Sequence, residues 1–181
     1  MELIVLATRN RGKARELTRL LAGAADRIET LLDHPGVALP PELGADYRDI
    51  ALAKARAANA ALGRPAVGDD SGLEVDALGG APGLRSARYA GEGASDAENN
   101  ARLLEALAGV PTERRTARFR CVLALVDPFS NDGEPYVVEG LCDGEILRSP
   151  WLLVKFYRTS WAWPYNEMIF RSHPPWSWQR P

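Results

Sequence analysis

Two adjacent carboxylates, Asp69 and Asp70, head the stretch GDDSGLEVDALGGAPGLRSARYAG, Gly68 to Gly91. Ala66 and Val67 follow the breaker Pro65 and read as the end of a short buried strand, which puts the pair where that strand meets its loop. Strand side chains alternate between faces, so extended geometry lets only one of the two aspartates face a given cleft and leaves the other structural. Ser71 adds a hydroxyl and Gly72 an unhindered backbone, while Gly79, Gly80, Pro82 and Gly83 form a second tight loop before Arg85 and Arg88. Carboxylates, open backbone and guanidinium groups together suit a metal-bound phosphate. An isolated Asp-Asp-Ser-Gly string is equally good turn chemistry.

A second candidate lies near the start. Leu3 to Ala7 is a continuous apolar run, as in a strand buried on both faces, and it leads into the polar loop TRNRGK, Thr8 to Lys13. A helix follows with Leu17, Leu20 and Leu21 at i, i+3 and i+4, and Gly23 can end it. The N-terminus of such a helix offers free N–H groups and the positive dipole end to phosphate oxygens, with Lys13 as a point charge. Asn10 can cap the helix or grip a nucleotide. The loop is not a Walker A sequence, and alone it is more often structural.

Taken together, DDSGLEVDALGGAPG with SARYAG closely resembles the central signature of the inosine triphosphate pyrophosphatase family, enzymes that hydrolyse non-standard purine nucleoside triphosphates. TRNRGK is similar to that family's triphosphate-binding loop, with Arg9 where a small residue is more usual. LPPELGADYRDIALAKA resembles the stretch that carries a magnesium-binding glutamate: Glu42 is retained, whereas Asp49 and Ile50 replace the usual Glu-Asn, and Lys54 matches a substrate-contacting lysine. The resemblance implies Mg²⁺ held by Glu42 and Asp70, and a triphosphate cradled by Thr8, Arg9, Asn10, Arg11, Gly12, Lys13 and Ser71. Asp70 would orient or deprotonate a water that attacks the α-phosphorus, giving nucleoside monophosphate and pyrophosphate. It also implies an elongated two-lobed fold and a homodimer.

The elements that must position these residues follow an α/β or α+β order, implying a single domain with a mixed central sheet flanked by helices. Ile28 to Leu32 is a second strand, and an alanine-rich helix runs from Asp46 to Leu62 and stops at Gly63 and Pro65. Ser95 opens a scaffold helix with the capping box S-D-A-E, buried through Leu103, Leu104 and Leu107. Arg118 to Asp127 and Tyr136 to Leu141 read as a hairpin around a turn at Asn131 to Pro135, with a further turn at Asp143 and Gly144.

Composition narrows the partners. With 22 basic against 24 acidic residues in 181, the chain has no basic stripe for a nucleic-acid polymer. No segment reaches the roughly 18 apolar residues of a membrane span, and Met1 leads directly into a strand-like run, so the expected location is the cytoplasm. Cys121 and Cys142 are then reduced thiols, and with His34 and His173 as the only histidines neither a zinc site nor a histidine-based nucleophile triad has its raw material.

The resemblance runs to about Pro150. Beyond it the family carries a glycine-rich FGYDP-like motif and then a lysine and Ser-His-Arg that read the base, none of which is present here. All 5 tryptophans, Trp151, Trp161, Trp163, Trp176 and Trp178, lie after that point, without helix or strand period. Residues 151–181 therefore read as an atypical tail, either an out-of-frame reading of the gene's end or a diverged segment. Two alternatives to the enzyme follow: a nucleotide-binding pseudoenzyme lacking the base-reading motifs, and a nucleotide hydrolase of altered base preference.

Overall fold

The computed structural model describes residues 1–42, 46–130, 133–148 and 154–156. Strand β1 (Leu3–Leu6) is followed by helix α1 (Arg11–Leu20), β2 (Arg27–Thr30), α2 (Tyr47–Leu62), β3 (Ala66–Val75), β4 (Pro82–Gly83), α3 (Asp96–Ala106), β5 (Thr116–Val126), β6 (Tyr136–Ile146) and β7 (Val154–Phe156). They build one seven-stranded mixed sheet in the order β2-β1-β3-β5-β6-β7, with β4 paired to β3 off that path. The strands β2, β1 and β3 are parallel, and β3, β5, β6 and β7 are antiparallel. The expected mixed sheet flanked by helices is present. Among the described residues no helix is long and apolar enough to cross a membrane.

Connectivity decides where the helices go. From β1 the chain moves outward to β2 through α1, then returns past β1 to β3 through α2. Parallel crossovers are right-handed, so reversing the direction of travel puts the two helices on opposite faces. The core follows this division. On one face Leu17 of α1 packs with Ile4, Leu6 and Val67. On the other, Ala58 of α2 packs with Val5, Ala7 and Ala66, and Ala51 and Ala55 pack with Val122 and Ala124.

The α2 stripe is mostly alanine, which lets the helix approach the sheet closely. Gly68 takes this furthest: a Cβ there would lie 2.1 Å from the Ala51 carbonyl oxygen and 2.7 Å from the Ala55 nitrogen. Helix α2 starts and stops as its sequence predicts. The Asp46 side chain accepts from the Asp49 N–H, and Gly63 caps the other end in the left-handed conformation. The capping box of Ser95 and Glu98 opens α3 with both of its bonds.

Three expectations need correction. The aspartates do not stand at a strand end, because β3 continues through Asp69 and Asp70 to Val75, held throughout by β5. Asp143 and Gly144 make no turn; they stay in β6 opposite Arg118 and Ala117, since the long partner β5 keeps the ladder going. Leu20 is 37% exposed and not part of a buried stripe, since α1 ends there and its cap is Leu21, not Gly23. The expected turn residues Asn131 and Asp132, and the tail apart from the β7 backbone, lie outside the described residues.

Gly68→Ala should lower stability by about 3 kcal/mol or more, because the new methyl meets helix backbone that cannot rotate away. Urea unfolding measures it, and an unchanged midpoint would contradict the close contact of α2 with β3.

Candidate active site

A break in strand pairing opens the site. Strand β1 pairs with β3 only at Ala66 and Val67, and β4 takes up that edge again at Leu73 and Glu74. Between them Gly68 to Gly72 has no strand neighbour on that side among the described residues, and a cleft of about 650 Å³ lies against it. That volume falls within the roughly 300–1,000 Å³ of small-molecule sites. The N-terminus of α1, the chain from Pro82 to Tyr89 and one side of α3 form the other walls.

The two aspartates point to opposite faces, as strand alternation requires, and each meets a lysine from the helix on its own face. Lys13 of α1 donates to Asp69 Oδ2 at 2.6 Å and to Ser71 Oγ at 3.2 Å. Lys54 of α2 donates to Asp70 Oδ1 at 3.3 Å and to the Asp69 carbonyl oxygen at 3.2 Å, and pairs with Glu42 Oε1 at 2.7 Å. Arg88 donates to the other Glu42 oxygen at 2.9 Å. Asp69 is 1% exposed, Asp70 7% and Lys54 8%, so these charges are held by one another and not by bulk water.

Burial and pairing set the titration. Burial pushes the Asp70 carboxyl above the usual carboxylate range, against the opposing pull of Lys54 and Lys13. For Glu42, burial acts upward too, but the hydrogen bonds from Lys54 and Arg88 win and hold it below its ordinary value. Burial works against the Lys13 charge, and Asp69 more than offsets this, so the ammonium titrates above its ordinary value.

The expectation that only one aspartate faces the cleft is wrong. Both line it, because the cleft lies at an unpaired strand edge, where it reaches side chains from both faces. Thr8, Arg9, Asn10, Gly12, Lys13, Glu42, Lys54 and Ser71 line it as well. Asn10 acts as the helix cap, accepting from the Gly12 and Lys13 N–H groups at 2.8 and 3.2 Å. The Arg9 guanidinium donates to the carbonyls of Pro35 and Val37, which ties the phosphate-loop candidate to the segment before Glu42. Arg11 is exposed and does not line the cleft.

Sequence reasoning missed Arg88 as the partner of Glu42, and it assigned α3 wholly to the scaffold. Asn99, Asn100 and Leu103 of that helix line the cleft, and Asn99 accepts from the Ala90 N–H and donates to the Ala87 carbonyl. The Asn-Asn pair on an otherwise amphipathic helix was the available signal.

Among the described residues no three His, Cys, Asp or Glu side chains converge as a metal cluster. Glu42 and Asp70 do converge, on the Lys54 ammonium, so a cationic position between two carboxylates is built into the cleft. This donor set fits Mg²⁺, which is commonly held by one or two carboxylates together with substrate phosphates.

A mixed sheet with a cleft at a break in its pairing, a helix N-terminus on one wall and paired lysines and carboxylates on its floor defines a site for an anionic ligand with its counter-cation. The chain belongs to the Ham1 family, whose model matches residues 4–156, and the resemblance found in the sequence is borne out. A Geobacillus kaustophilus protein named dITP/XTP pyrophosphatase is 50% identical over 151 residues, covering 83% of this chain and 72% of the relative. One of the same name from Geobacter sulfurreducens is 48% identical over 150 residues, covering 83% and 74%. The solved structure of a HAM1 protein from Coxiella burnetii aligns with a TM-score of 0.71 at 39% identity, over 82% of this chain and 75% of that one. A nucleoside-triphosphatase / dITP/XTP pyrophosphatase from Mycobacterium abscessus aligns with a TM-score of 0.68 at 44% identity.

Lys13→Met should destabilise the protein by roughly 3 kcal/mol at neutral pH, because it strands the buried Asp69 carboxylate. The Lys13 value is raised on folding, so its contribution is complete below the unfolded lysine value of about 10.4 and is lost as pH climbs through the folded value. The stability gap between wild type and Lys13→Met should therefore narrow in strongly alkaline buffer. A gap independent of pH would contradict the pairing.

Proposed function

We propose that the chain hydrolyses non-standard purine nucleoside triphosphates, ITP, dITP and XTP, to nucleoside monophosphate and pyrophosphate. The observation that carries this is the convergence of Lys13 with Asp69, and of Lys54 with Asp70 and Glu42, in one cleft at the N-terminus of α1. Relatives about half identical to this chain carry the matching name.

In this reading the α1 N-terminus and Lys13 hold the triphosphate, and Ser71 adds a hydroxyl. Glu42 and Asp70 would hold Mg²⁺, with Arg88 keeping Glu42 in place, and the bound ion would supply neutralisation of charge developing on the phosphate oxygens. Asp70 orients the attacking water and accepts its proton. The water oxygen bonds to the α-phosphorus as the bond to the bridging oxygen breaks, and pyrophosphate leaves with the bonding electrons. No side-chain nucleophile takes part, and positioning and electrostatics supply the acceleration.

The proposal extends to a homodimer in the cytoplasm. Cys121 and Cys142, the two cysteines of the sequence, are not joined in a disulfide, which supports a reducing compartment. Exposed Tyr136 and Val138, which share one face of β6, support a covered face in an assembly.

The segment from about residue 151 is proposed to be a non-native continuation of the fold. The break in composition supports this, while the family match runs on to residue 156 and includes β7, so the support applies to the residues after Phe156. The coding DNA, read in all three frames, should encode an FGYDP-like segment and a later Ser-His-Arg in a neighbouring frame. Their absence from every frame would refute the idea.

Incubated with ITP and Mg²⁺, the protein should release pyrophosphate and inosine monophosphate. Orthophosphate with a diphosphate would contradict attack at the α-phosphorus, and tight binding of ITP without turnover would favour a pseudoenzyme. Asp70→Asn should lower kcat by about a thousandfold while the protein stays folded. Asp69→Asn should act mainly on stability through Lys13. The reverse pattern would mean that the two roles are exchanged.

A further inference from the structure

Three oxygens surround the Lys54 ammonium: Glu42 Oε1 at 2.7 Å, Asp70 Oδ1 at 3.3 Å and the Asp69 main-chain carbonyl at 3.2 Å. Two carboxylates and a carbonyl make the all-oxygen donor set that hard divalent cations take. The lysine is buried, and it comes from the helix that Gly68 admits closest to β3, so its reach to Asp70 is built into the packing. Arg88 grips the second oxygen of Glu42, and the carboxylate is thus kept in place by one cation while it faces another. We propose that Lys54 is an internal, exchangeable occupant of the cation position: its ammonium neutralises Glu42 and Asp70 until a divalent cation displaces it, and it then serves the triphosphate.

This rests on the reading of Glu42 and Asp70 as the cation ligands, and the physical reason lies in their burial. A carboxylate as enclosed as Asp70 needs a positive partner at all times. A protein that binds its metal together with substrate phosphates spends part of its life without that metal, and an ammonium in the same position keeps the site folded meanwhile. Lysine suits an exchangeable role better than arginine does. Its charge is compact and sits on a flexible four-carbon stem, whereas a guanidinium is a rigid planar fork.

Two consequences follow. Cation binding to the substrate-free protein competes with Lys54 and is weakened by it. A triphosphate offers the displaced ammonium an anionic destination, so triphosphate and cation each strengthen the binding of the other.

The test is titration calorimetry of MgCl₂ into the substrate-free full chain, comparing wild type with Lys54→Met and the near-isosteric Lys54→Gln, and with thermal melts of each at zero and saturating Mg²⁺. Both variants should bind Mg²⁺ about tenfold or more tightly than wild type. Without the cation they should melt below wild type, and they should recover more on its addition. Glu42→Gln in either background should abolish the binding. If wild type binds Mg²⁺ through Glu42 but the Lys54 variants bind it equally or more weakly, Lys54 is a substrate contact only and the proposal fails. If none of the proteins binds Mg²⁺, the assignment of Glu42 and Asp70 as cation ligands fails with it. Should Lys54→Met not fold without Mg²⁺ yet fold in its presence, the surrogate role is supported; a variant that stays unfolded with Mg²⁺ contradicts it.

Discussion

Two adjacent carboxylates buried in the middle of a strand are the constraint on which the rest of this structure depends. A buried charge is tolerated only with a partner, and strand alternation sends Asp69 and Asp70 to opposite sides of the sheet. One helix cannot serve both. The fold must therefore deliver a lysine to each face at the same level of β3, and it does so with Lys13 from α1 and Lys54 from α2.

The topology supplies this directly. Because β1 lies between β2 and β3, the two crossovers run in opposite directions, and right-handedness places their helices on opposite faces. Stopping β1 at Leu6 then leaves the strand edge beside the carboxylates open. The cleft, the helix N-terminus above it and the two ion pairs are consequences of one arrangement. Gly68 shows how closely it is fitted: no side chain can stand where α2 passes over β3 on its way to bring Lys54 to Asp70. In the proposed function the same ion pairs are the groups that phosphate and metal engage, so stability and chemistry would draw on the same residues.

Much of this was legible in the residues. The caps at Asp46, Gly63 and Ser95 marked helix ends because each satisfies backbone groups locally, and the apolar runs marked β1 and the β5–β6 hairpin. Two of the misreadings share a cause. Asp-Asp-Ser-Gly has turn composition, and only the pairing with β5, over forty residues away in sequence, holds it extended as part of β3. The same long partner suppresses the expected turn at Asp143 and Gly144. Lys54 was reached through the family resemblance, since a lysine on a helix is ordinarily solvated; in the structure it falls in the stripe Tyr47, Ile50, Ala51, Ala55 and Ala58, which faces the sheet. The bond from Arg88 to Glu42 was not readable, since nothing local links a loop guanidinium to a carboxylate 46 residues earlier.

The account stands on water attacking the α-phosphorus from the cleft beside Asp70. A single turnover of ITP in ¹⁸O-water, with mass spectrometry of both products, tests that directly. The label should appear in inosine monophosphate, with the pyrophosphate unlabelled. Label in pyrophosphate or orthophosphate would place the attack on another phosphorus and contradict the assignment of this cleft.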